Sequence, residues 1–374
     1  MSKDVILDRY ARLYEIPYQL AKIGHEVQAF CLDYHAVSTS STDHTVDHVW
    51  QHDAAPGRLS WSSYPIGRNI AATLAMLAYP SRLLRELQTY RPDVIIGASD
   101  IPHVAMTGWL ARRLQVPYVI DLYDNFEGFG QAKIPGFVRA LRRTTQKANL
   151  VITTSEPLRE KVLTDYAARG AVVSMPSSVN LQLFHPGQKE HARSMLGLPL
   201  DAKLIGTAGG LTSDKGIEPL YAAWQTLSIR YPQLHLVLAG PFNPSLPPPS
   251  GARVHYLGML DHVKVPDLFR ALDIGIISIP DTPFGRYCFP QKAYEMLACN
   301  LDVVVSDVGE MASLFSEVPE ALFPAGDAKS LDLAISRRLD FYGKNKHLTT
   351  IQIDDWEALI KRIEPKIRAI SSTP

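Results

Sequence analysis

The sequence has few cysteines, no net charge and no long apolar run. Its 374 residues include three cysteines, and 38 basic residues balance 38 acidic ones. Cys31, Cys288 and Cys299 are odd in number and lack metal-binding spacing, which predicts free thiols in a reducing compartment and no bound metal. Balanced charge gives no bulk attraction to nucleic acid or to an anionic membrane, so nucleic acid is not expected as a partner.

The apolar stretches are too short to cross a membrane. The longest, residues 70–79, is rich in alanine, ends before Pro80 and falls well short of the roughly 20 residues that a spanning helix needs. Residues 1–4 lead directly into an apolar run, 5–7, without the pattern of a secretory leader. The sequence therefore predicts a cytoplasmic protein.

Strand and helix patterns alternate over most of the chain and predict two doubly wound α/β domains. In the first half, strands are expected at 5–7, 27–32, 93–97, 118–122 and 150–153, and helices at 10–23, 68–89, 102–114 and 136–147. The alternation breaks around 176–187 and then restarts. In the second half, strands are expected at 204–208, 234–239, 254–257, 274–279 and 303–306, and helices at 217–231, 264–272 and 290–297.

The chain is longer than a single hydrophobic core usually accommodates, which also favours two domains. The first is predicted to span 1–188 and to be completed by a C-terminal helix, 355–374, while the second spans 189–354. Both domains would place the carboxyl ends of their strands, and therefore their ligand sites, at a shared cleft.

The segment 280–299 joins two predicted strands and has the pattern of an anion-binding helix. Pro290 suits a first helical turn, because its missing N–H would be unpaired there. Lys292 and Glu295 then lie on one helix face near its N-terminus, where a ligand phosphate and vicinal hydroxyls could be bound. An ordinary strand–helix crossover with a solvated Lys/Glu pair is the alternative.

A glycine-rich turn follows another predicted strand. Gly209 and Gly210 allow a backbone to approach a ligand, and Lys215 adds a positive charge at the entrance of the next helix. A phosphate-binding turn is one interpretation and a common Gly-Gly turn is the other, because the pattern is neither a G-x-G-x-x-G nor a Walker loop. In a parallel sheet this turn shares an edge with Lys292, which favours phosphate binding.

Several segments occur in order along nearly the whole chain. They are Ile23-Gly-His-Glu-Val27, Ala148-Asn-Leu-Val-Ile-Thr-Thr-Ser155, Pro176-Ser-Ser-Val-Asn180 with Phe184 and Pro186, residues 209–216, residues 289–298, and a helix that begins at Trp356. Each is weak alone, but in this order they resemble the GT-B glycosyltransferases, most closely family 4, the retaining group 1 transferases. The resemblance implies two Rossmann-like domains facing a cleft, with the C-terminal helix crossing back onto the first.

The resemblance also implies that a nucleotide-sugar donor binds the second domain without a metal or another cofactor, and a UDP-sugar is the favoured co-substrate. The donor-binding residues would be Gly209, Gly210, Lys215, Arg286, Phe289, Lys292 and Glu295. Lys215 and Lys292 would contact the diphosphate, and Glu295 would hold the ribose hydroxyls. Helix dipole and cations would then stabilise the leaving diphosphate.

The sequence departs from the family pattern in places. Gly210 stands where the family has an arginine, and Tyr287 where it has the first of two glutamates, so Tyr287 or Arg286 would take over part of that role. Tyr123 replaces a family histidine, although Asp124 is retained. The candidate catalytic residues are therefore His103, Asp124, Tyr287 and Lys215. A structural role for an isolated histidine is the alternative.

Acceptor contacts are expected from the first domain. The expected residues are Arg9, Tyr10, Arg12 and Asp121, with Asp124 and Glu127 beyond the same strand. A sugar or a lipid-linked acceptor would bind there. The basic helix 136–147 would either touch anionic lipid, which would place the protein peripherally at the inner membrane face, or present a solvated face.

The leading hypothesis is a retaining hexosyltransferase that moves a sugar from a nucleotide-diphosphate sugar to an acceptor hydroxyl in glycan or glycoconjugate biosynthesis. The resemblance implies a front-face displacement, in which the leaving phosphate assists deprotonation of the acceptor. Two alternatives stay open: a nucleotide-sugar 2-epimerase of the same fold, and a degenerate homologue that binds a nucleotide or a partner without catalysis. Lys292, Glu295 and the Trp356 segment favour transfer, whereas Gly210 and Tyr287 support the degenerate homologue.

Overall fold

The chain divides into two compact units. The computed structural model describes residues 5, 11–33, 46–50, 57–65, 70–289, 291–340 and 353–371. One unit is Met1–Ser177 with Trp356–Pro374, and the other is Ser178–Asp355. The division between Ser177 and Ser178 falls inside the segment 176–187, where the alternation of strand and helix patterns in the sequence breaks.

The first unit alternates strands and helices. Its elements before the division are α1 (Ala11–Lys22), β1 (Glu26–Asp33), β2 (Val46–Trp50), β3 (Gly57–Pro65), α2 (Ile70–Tyr90), β4 (Ile95–Gly97), α3 (Ile101–Leu114), β5 (Tyr118–Leu122), α4 (Phe137–Lys147), β6 (Leu150–Thr153), α5 (Glu156–Thr164) and β7 (Ala171–Ser174). Strands β4, β5, β6 and β7 form a parallel sheet in that order, and β3 lies between β1 and β2 in a second sheet. This is half of a doubly wound arrangement.

Local chemistry explains where these elements begin. Helix α3 starts at an Asp100 cap, whose Oδ1 accepts a hydrogen bond of 3.0 Å from the His103 N–H, and it ends at Gln115 in the left-handed conformation. Strands β5 and β6 are apolar runs whose Val119 and Ile152 have no exposed surface. Such continuous burial is expected of central parallel strands with helices on both faces.

The second unit repeats the alternation around one sheet. Its elements are α6 (Lys189–Met195), β8 (Lys203–Ala208), α7 (Glu218–Arg230), β9 (Leu234–Ala239), β10 (Val254–Tyr256), α8 (Val265–Ala271), β11 (Ile274–Ile277), α9 (Pro283–Tyr287), α10 (Gln291–Ala298), β12 (Asp302–Ser306), α11 (Glu310–Leu314), β13 (Leu322–Phe323) and α12 (Ala328–Asp340). The strands are parallel and follow the order β10-β9-β8-β11-β12-β13.

This strand order contains a topological switch point. The chain runs outward from β8 through β9 to β10, returns to place β11 on the other side of β8, and runs outward again to β13. The two central strands are in register at Ile274 and Ile205. In open α/β sheets a crevice opens at the carboxyl ends of the strands where the order reverses, so this fold positions a ligand site beyond β8 and β11.

A last helix, α13 (Trp356–Ser371), completes the first unit rather than the second. Its buried residues Trp356, Leu359, Ile360, Ile363 and Ile367 join the core that contains Val119 and Leu150. Ion pairs Lys22–Glu357, at 2.5 Å, and His25–Glu364, at 2.9 Å, fasten it to α1 and to the start of β1. An apolar helix face thus closes one side of the sheet.

The predicted fold class, two Rossmann-like α/β halves, is confirmed, but some elements escaped prediction. Strand β3 is rich in serine and was not among the predicted strands, yet its Leu59 and Trp61 are buried on one face. Helix α9 contains Pro283 and Gly285 and reads as loop, although Thr282 caps it by accepting from the Gly285 N–H. The predicted strand 5–7 falls almost wholly outside the described residues, as do Arg9, Tyr10 and Pro290.

The structure bears on the state of the cysteines and on the length of the apolar helices. Cys31, Cys288 and Cys299 are free thiols, as predicted, and burial raises the pKa of Cys299 to about 12. Within the described ranges, no helix has the length and apolarity that a membrane-crossing segment requires.

Candidate functional site

The glycine turn predicted from the sequence lies at the switch point, directly after β8. Gly209 has φ +116°, and a methyl group added there would come within 3.2 Å of the Lys292 Nζ atom. Gly240, which follows β9, has φ +125°, and a methyl group there would lie 2.0 Å from the Gly209 carbonyl oxygen. Both positions favour glycine for their conformation, and Gly240 also needs it for space, so the result is a bare backbone turn at the sheet edge.

Lys292 reaches this turn from the first helical turn of α10. Its Nζ donates a long hydrogen bond of 3.5 Å to the Thr207 hydroxyl at the end of β8. Removal of the ammonium group from water, and to a smaller extent the nearby Lys215, lower the pKa of Lys292 to about 8, although Glu295 opposes this. A lysine held in this way is costly for the unliganded protein and prepared for an anion.

Lys215 lies near the same turn, on the segment that leads from it into helix α7. It ends a short helical turn, Ser213–Lys215, after the glycines, and its Nζ lies 4.0 Å from the centre of the Phe284 ring. The ring face attracts the ammonium and restricts it near the Gly209 turn. Phe284 belongs to α9, an element that the sequence did not predict, so its role was missed.

Glu295 lies one helical turn beyond Lys292 on α10. Its Oε1 accepts a hydrogen bond of 3.4 Å from Gln291 Nε2 and lies 3.8 Å from His262 Nε2. The Glu295 side chain is 14% exposed and that of His262 is 53% exposed. His262 was not singled out from the sequence, although its place just after β10, at the carboxyl edge, is a signal that could have found it.

Arg286 and Tyr287 belong to α9, and Phe289 follows it. Arg286 makes an exposed two-point ion pair with Asp281, at 2.5 and 3.1 Å, and this pairing lowers the pKa of the Asp281 carboxyl. Phe289 packs against the Tyr294 ring at a centroid distance of 4.6 Å. Tyr287 ends α9 and is partly buried. A donor contact by Arg286 would require its ion pair to open.

In the first unit, His103 forms a dyad with Asp100. The His103 Nδ1 lies 2.6 Å from Asp100 Oδ1, and Gln131 Nε2 donates to Asp100 Oδ2 at 3.1 Å. Burial alone would raise the pKa of Asp100, but the hydrogen bonds and charge of His103 hold it below its usual value. His103 is therefore oriented by a carboxylate rather than isolated, and Asp100 and Gln131 were not predicted.

The loops after β4 and β5 meet beside this dyad. Ser99 has φ +92°, an uncommon conformation for a residue other than glycine, and its carbonyl oxygen accepts a 2.9 Å hydrogen bond from the Tyr123 hydroxyl. Asp124 Oδ1 accepts from the Asn125 N–H at 2.6 Å and stays partly exposed. These contacts bring Tyr123 and the loop before His103 together.

Arg12 and Asp121 do not border a surface. Arg12 is 2% exposed and Asp121 is fully buried; they form a two-point ion pair at 2.6 and 3.1 Å, and Arg12 also donates to the Met175 carbonyl at 2.8 Å. Burial raises the pKa of Asp121, opposed by the guanidinium. The interior position disagrees with the expectation of direct acceptor contact, because these side chains fasten α1 to the sheet.

Glu127 is likewise engaged by cations. It accepts two hydrogen bonds from Arg142, at 2.6 and 3.0 Å, and lies 3.5 Å from Lys161. Burial would raise its pKa, but the hydrogen bonds from Arg142 and Tyr166 hold it below the usual value. Asp121 and Glu127 are thus both neutralised by cations of the first unit. Across the described ranges, no cluster of three or more His, Cys, Asp or Glu side chains is arranged to hold a metal ion.

Family models match both halves of the chain. The model of a glycosyl transferase 4-like domain matches residues 11–177, and the model of glycosyl transferases group 1 matches residues 202–340. The two matches together span most of the chain. The protein belongs to the group 1, family 4 glycosyltransferases, which confirms the resemblance seen in its motifs.

Curated relatives match at lower coverage. Glycosyltransferase TuaC of Bacillus subtilis, assigned to teichuronic acid biosynthesis, is 28% identical over 287 residues, which are 76% of this chain and 68% of that protein. The D-inositol 3-phosphate glycosyltransferase of Mycobacterium tuberculosis is 26% identical over 327 residues, covering 78% of this chain and 62% of that protein. The chain thus spans about two thirds of the length of these relatives.

Solved structures share the fold. A sucrose-phosphate synthase from Thermosynechococcus elongatus matches with a TM-score of 0.70 at 22% identity, covering 96% of this chain and 92% of that one. HepE from Anabaena, solved with UDP-glucose, matches with a TM-score of 0.63 at 18% identity, covering 82% and 86%. At these identities the likeness establishes the GT-B fold.

Proposed function

We propose that the protein transfers a hexose from a nucleotide-diphosphate sugar, with a UDP-sugar as the favoured donor, to an acceptor hydroxyl. The observation that carries the proposal is the pair of lysines at the switch point. Lys292 and Lys215 converge on the bare Gly209 turn, and within the described chain the only hydrogen-bond partner of the Lys292 ammonium is a neutral hydroxyl. A diphosphate supplies the missing negative charge.

The donor would lie along α10. Its diphosphate would contact Lys215, Lys292 and the first N–H groups of the helix, where the helix dipole favours an anion. Gly209 and Gly210 would allow close approach, and Glu295 would accept hydrogen bonds from the ribose hydroxyls. HepE, solved with UDP-glucose, supports a nucleotide-sugar donor by its fold.

For the reaction we propose retention of configuration. The bond between the sugar and the diphosphate breaks while the acceptor oxygen attacks the same face, and the acceptor proton passes to the leaving phosphate oxygen. Both lysines stabilise the negative charge that grows on the diphosphate, so no metal is required. On the acceptor side, His103, held by Asp100, and Asp124 are the residues proposed to meet a sugar or lipid-linked acceptor.

Substitution tests the donor assignment directly. Glu295→Ala and Lys215→Ala should each abolish transfer and leave the thermal unfolding of the unliganded protein intact. Near-normal turnover in either variant would reject the assignment. A thermal-shift screen with UDP-, GDP-, ADP- and dTDP-sugars identifies the donor, because a ligand that binds only the native state raises its stability.

Incubation of the preferred nucleotide sugar without an acceptor separates the alternatives. Formation of an epimer would establish a 2-epimerase, and binding without hydrolysis or transfer to any acceptor would establish a non-catalytic homologue. The family match and the paired lysines favour transfer.

Peripheral membrane contact is a second proposal, made for a cytoplasmic enzyme with a lipid-linked acceptor. On α4, Arg139, Arg143 and Lys147 are exposed at every fourth position, whereas Arg142 is paired with Glu127. Ile134, just before the helix, is 47% exposed. Residues four apart share one helix face, so this face is basic beside an apolar side chain, as a lipid surface requires.

Liposome flotation tests this contact. A triple Arg139→Gln, Arg143→Gln, Lys147→Gln variant should lose salt-sensitive binding to anionic vesicles, while a double Lys329→Gln, Arg337→Gln control variant of α12 should retain it. Equal flotation of both variants, or no binding by the natural protein, would reject a membrane role for α4.

A further inference from the structure

We propose that His262 positions the Glu295 carboxylate for the donor ribose, an inference that rests on the donor site proposed above. His262 lies in the turn His262–Lys264 between β10 and α8, whereas Glu295 lies on helix α10. Its Nε2 is 3.8 Å from Glu295 Oε1, within ion-pair reach although longer than a hydrogen bond. The contact therefore joins the connection between β10 and α8 to helix α10.

The two oxygens of Glu295 have different surroundings. Oε1 accepts from Gln291 Nε2 at 3.4 Å and faces His262, whereas no hydrogen bond to Oε2 occurs within the part of the chain that the structure describes. Two groups that approach Oε1 from different elements restrict rotation of the carboxylate. Oε2 is then the oxygen left for a ligand hydroxyl.

A buried aromatic ring restricts His262 in turn. The imidazole lies edge-on to Phe184, with centroids 5.4 Å apart and planes at 62°. Phe184 is 1% exposed and packs on Phe269, itself buried, at 6.3 Å. Because Phe184 cannot move freely, one edge of the half-exposed imidazole is fixed, and the ring can act as a positioning group rather than a free surface side chain.

Loss of this positioning should weaken ribose recognition but not phosphate recognition. The lysine pair acts on the diphosphate, whereas His262 acts only through Glu295. His262→Ala should therefore weaken nucleoside diphosphate binding about three- to tenfold and leave pyrophosphate binding unchanged. His262→Gln, which retains a side-chain N–H donor, should restore affinity to within about twofold.

The experiment uses isothermal titration calorimetry on the full chain. The probes are inorganic pyrophosphate and whichever of UDP, GDP or ADP gives the largest thermal shift, since all three carry an intact ribose. The proteins are the natural chain, His262→Ala, His262→Gln, Glu295→Ala and the double variant. His191→Ala, on the exposed face of α6, is the matched control and should bind both probes normally.

A double-mutant cycle decides between the outcomes. The proposal expects His262→Ala to have no further effect once Glu295 is alanine. A full effect in that background, an unchanged affinity in His262→Ala, or equal weakening of pyrophosphate binding would overturn the role of His262 and leave the donor site standing. An unchanged affinity in Glu295→Ala, or no nucleotide binding by the natural chain, would overturn the donor assignment and this inference with it.

Discussion

Charged residues are arranged in opposite ways at two places in the molecule, the ion pairs of the first unit and the lysines at the switch point of the second. In the first unit, Arg12 with Asp121 and Arg142 with Glu127 form close, two-point ion pairs. At the switch point of the second unit, Lys292 is partly buried near another lysine, and desolvation outweighs the Glu295 carboxylate and holds the pKa of Lys292 at about 8. Paired charges stabilise architecture, whereas a desolvated cation beside a second cation is a feature that ligand binding relieves.

The largest expected effect comes from breaking an ion pair in the first unit. Arg12→Met leaves Asp121 buried without its cation, and such a loss costs about 3–5 kcal/mol of unfolding free energy. Denaturant unfolding measures it. Asp165→Asn, which removes the exposed partner of Lys161, is the control and should unfold almost as the natural protein does. Equal stability of both variants would contradict a structural role for the Arg12–Asp121 pair.

The next effect concerns the second unit, where function and stability should diverge. Lys292→Met should lower transfer about 100-fold or more, since it removes a charge that stabilises the leaving group. The same change should raise the stability of the unliganded protein by about 1–2 kcal/mol, because a desolvated ammonium is lost. Steady-state kinetics and denaturant unfolding check the two parts, with Lys329→Met as the surface control. If Lys292→Met retained transfer activity and lost stability, both parts of this prediction would be wrong.

A pH titration gives a smaller and more specific effect. The pKa of Lys292 is about 8 in the folded protein, below the value of about 10.4 expected when unfolded. Between these values the unfolded chain binds the extra proton, so this lysine makes unliganded stability increase as pH rises. Nucleoside diphosphate affinity should fall about tenfold per pH unit above 8, because binding needs the ammonium. Both trends should be absent from Lys292→Met when it is titrated beside the natural protein.

The smallest effect is expected at Arg286. Since Asp281 already engages its guanidinium in the exposed loop, Arg286→Ala should change the donor KM less than about threefold. A change of tenfold or more would show that the ion pair opens for the donor. Asp281→Ala, measured in parallel, should then lower KM by releasing the arginine.

The sequence was sufficient for the features that depend on local pattern. Buried strands, the Gly209 turn and the Lys292 helix each have a period or a residue type that predicts them. Side-chain partners were not predictable where they come from distant segments, as with Phe284 under Lys215 and Asp121 against Arg12.

Residue type also misled where burial decides the role. Asp121 looks like a binding group at a strand end, but the central strand β5 places it wholly inside. His103 looks isolated in sequence, although an aspartate three residues earlier orients it. Neither outcome follows from spacing alone, since both depend on which face of a strand or helix meets the core.

The return of α13 to the first unit has a consequence for biosynthesis. Trp356 and Leu359 complete the core around Val119 and Leu150, yet the ribosome makes them only after the whole second unit. Domains commonly fold in the order of their synthesis, but here the first unit keeps an apolar sheet face uncovered until its last helix emerges. The second unit can therefore finish folding first, and the nascent first unit is the part of the chain that most needs protection from aggregation.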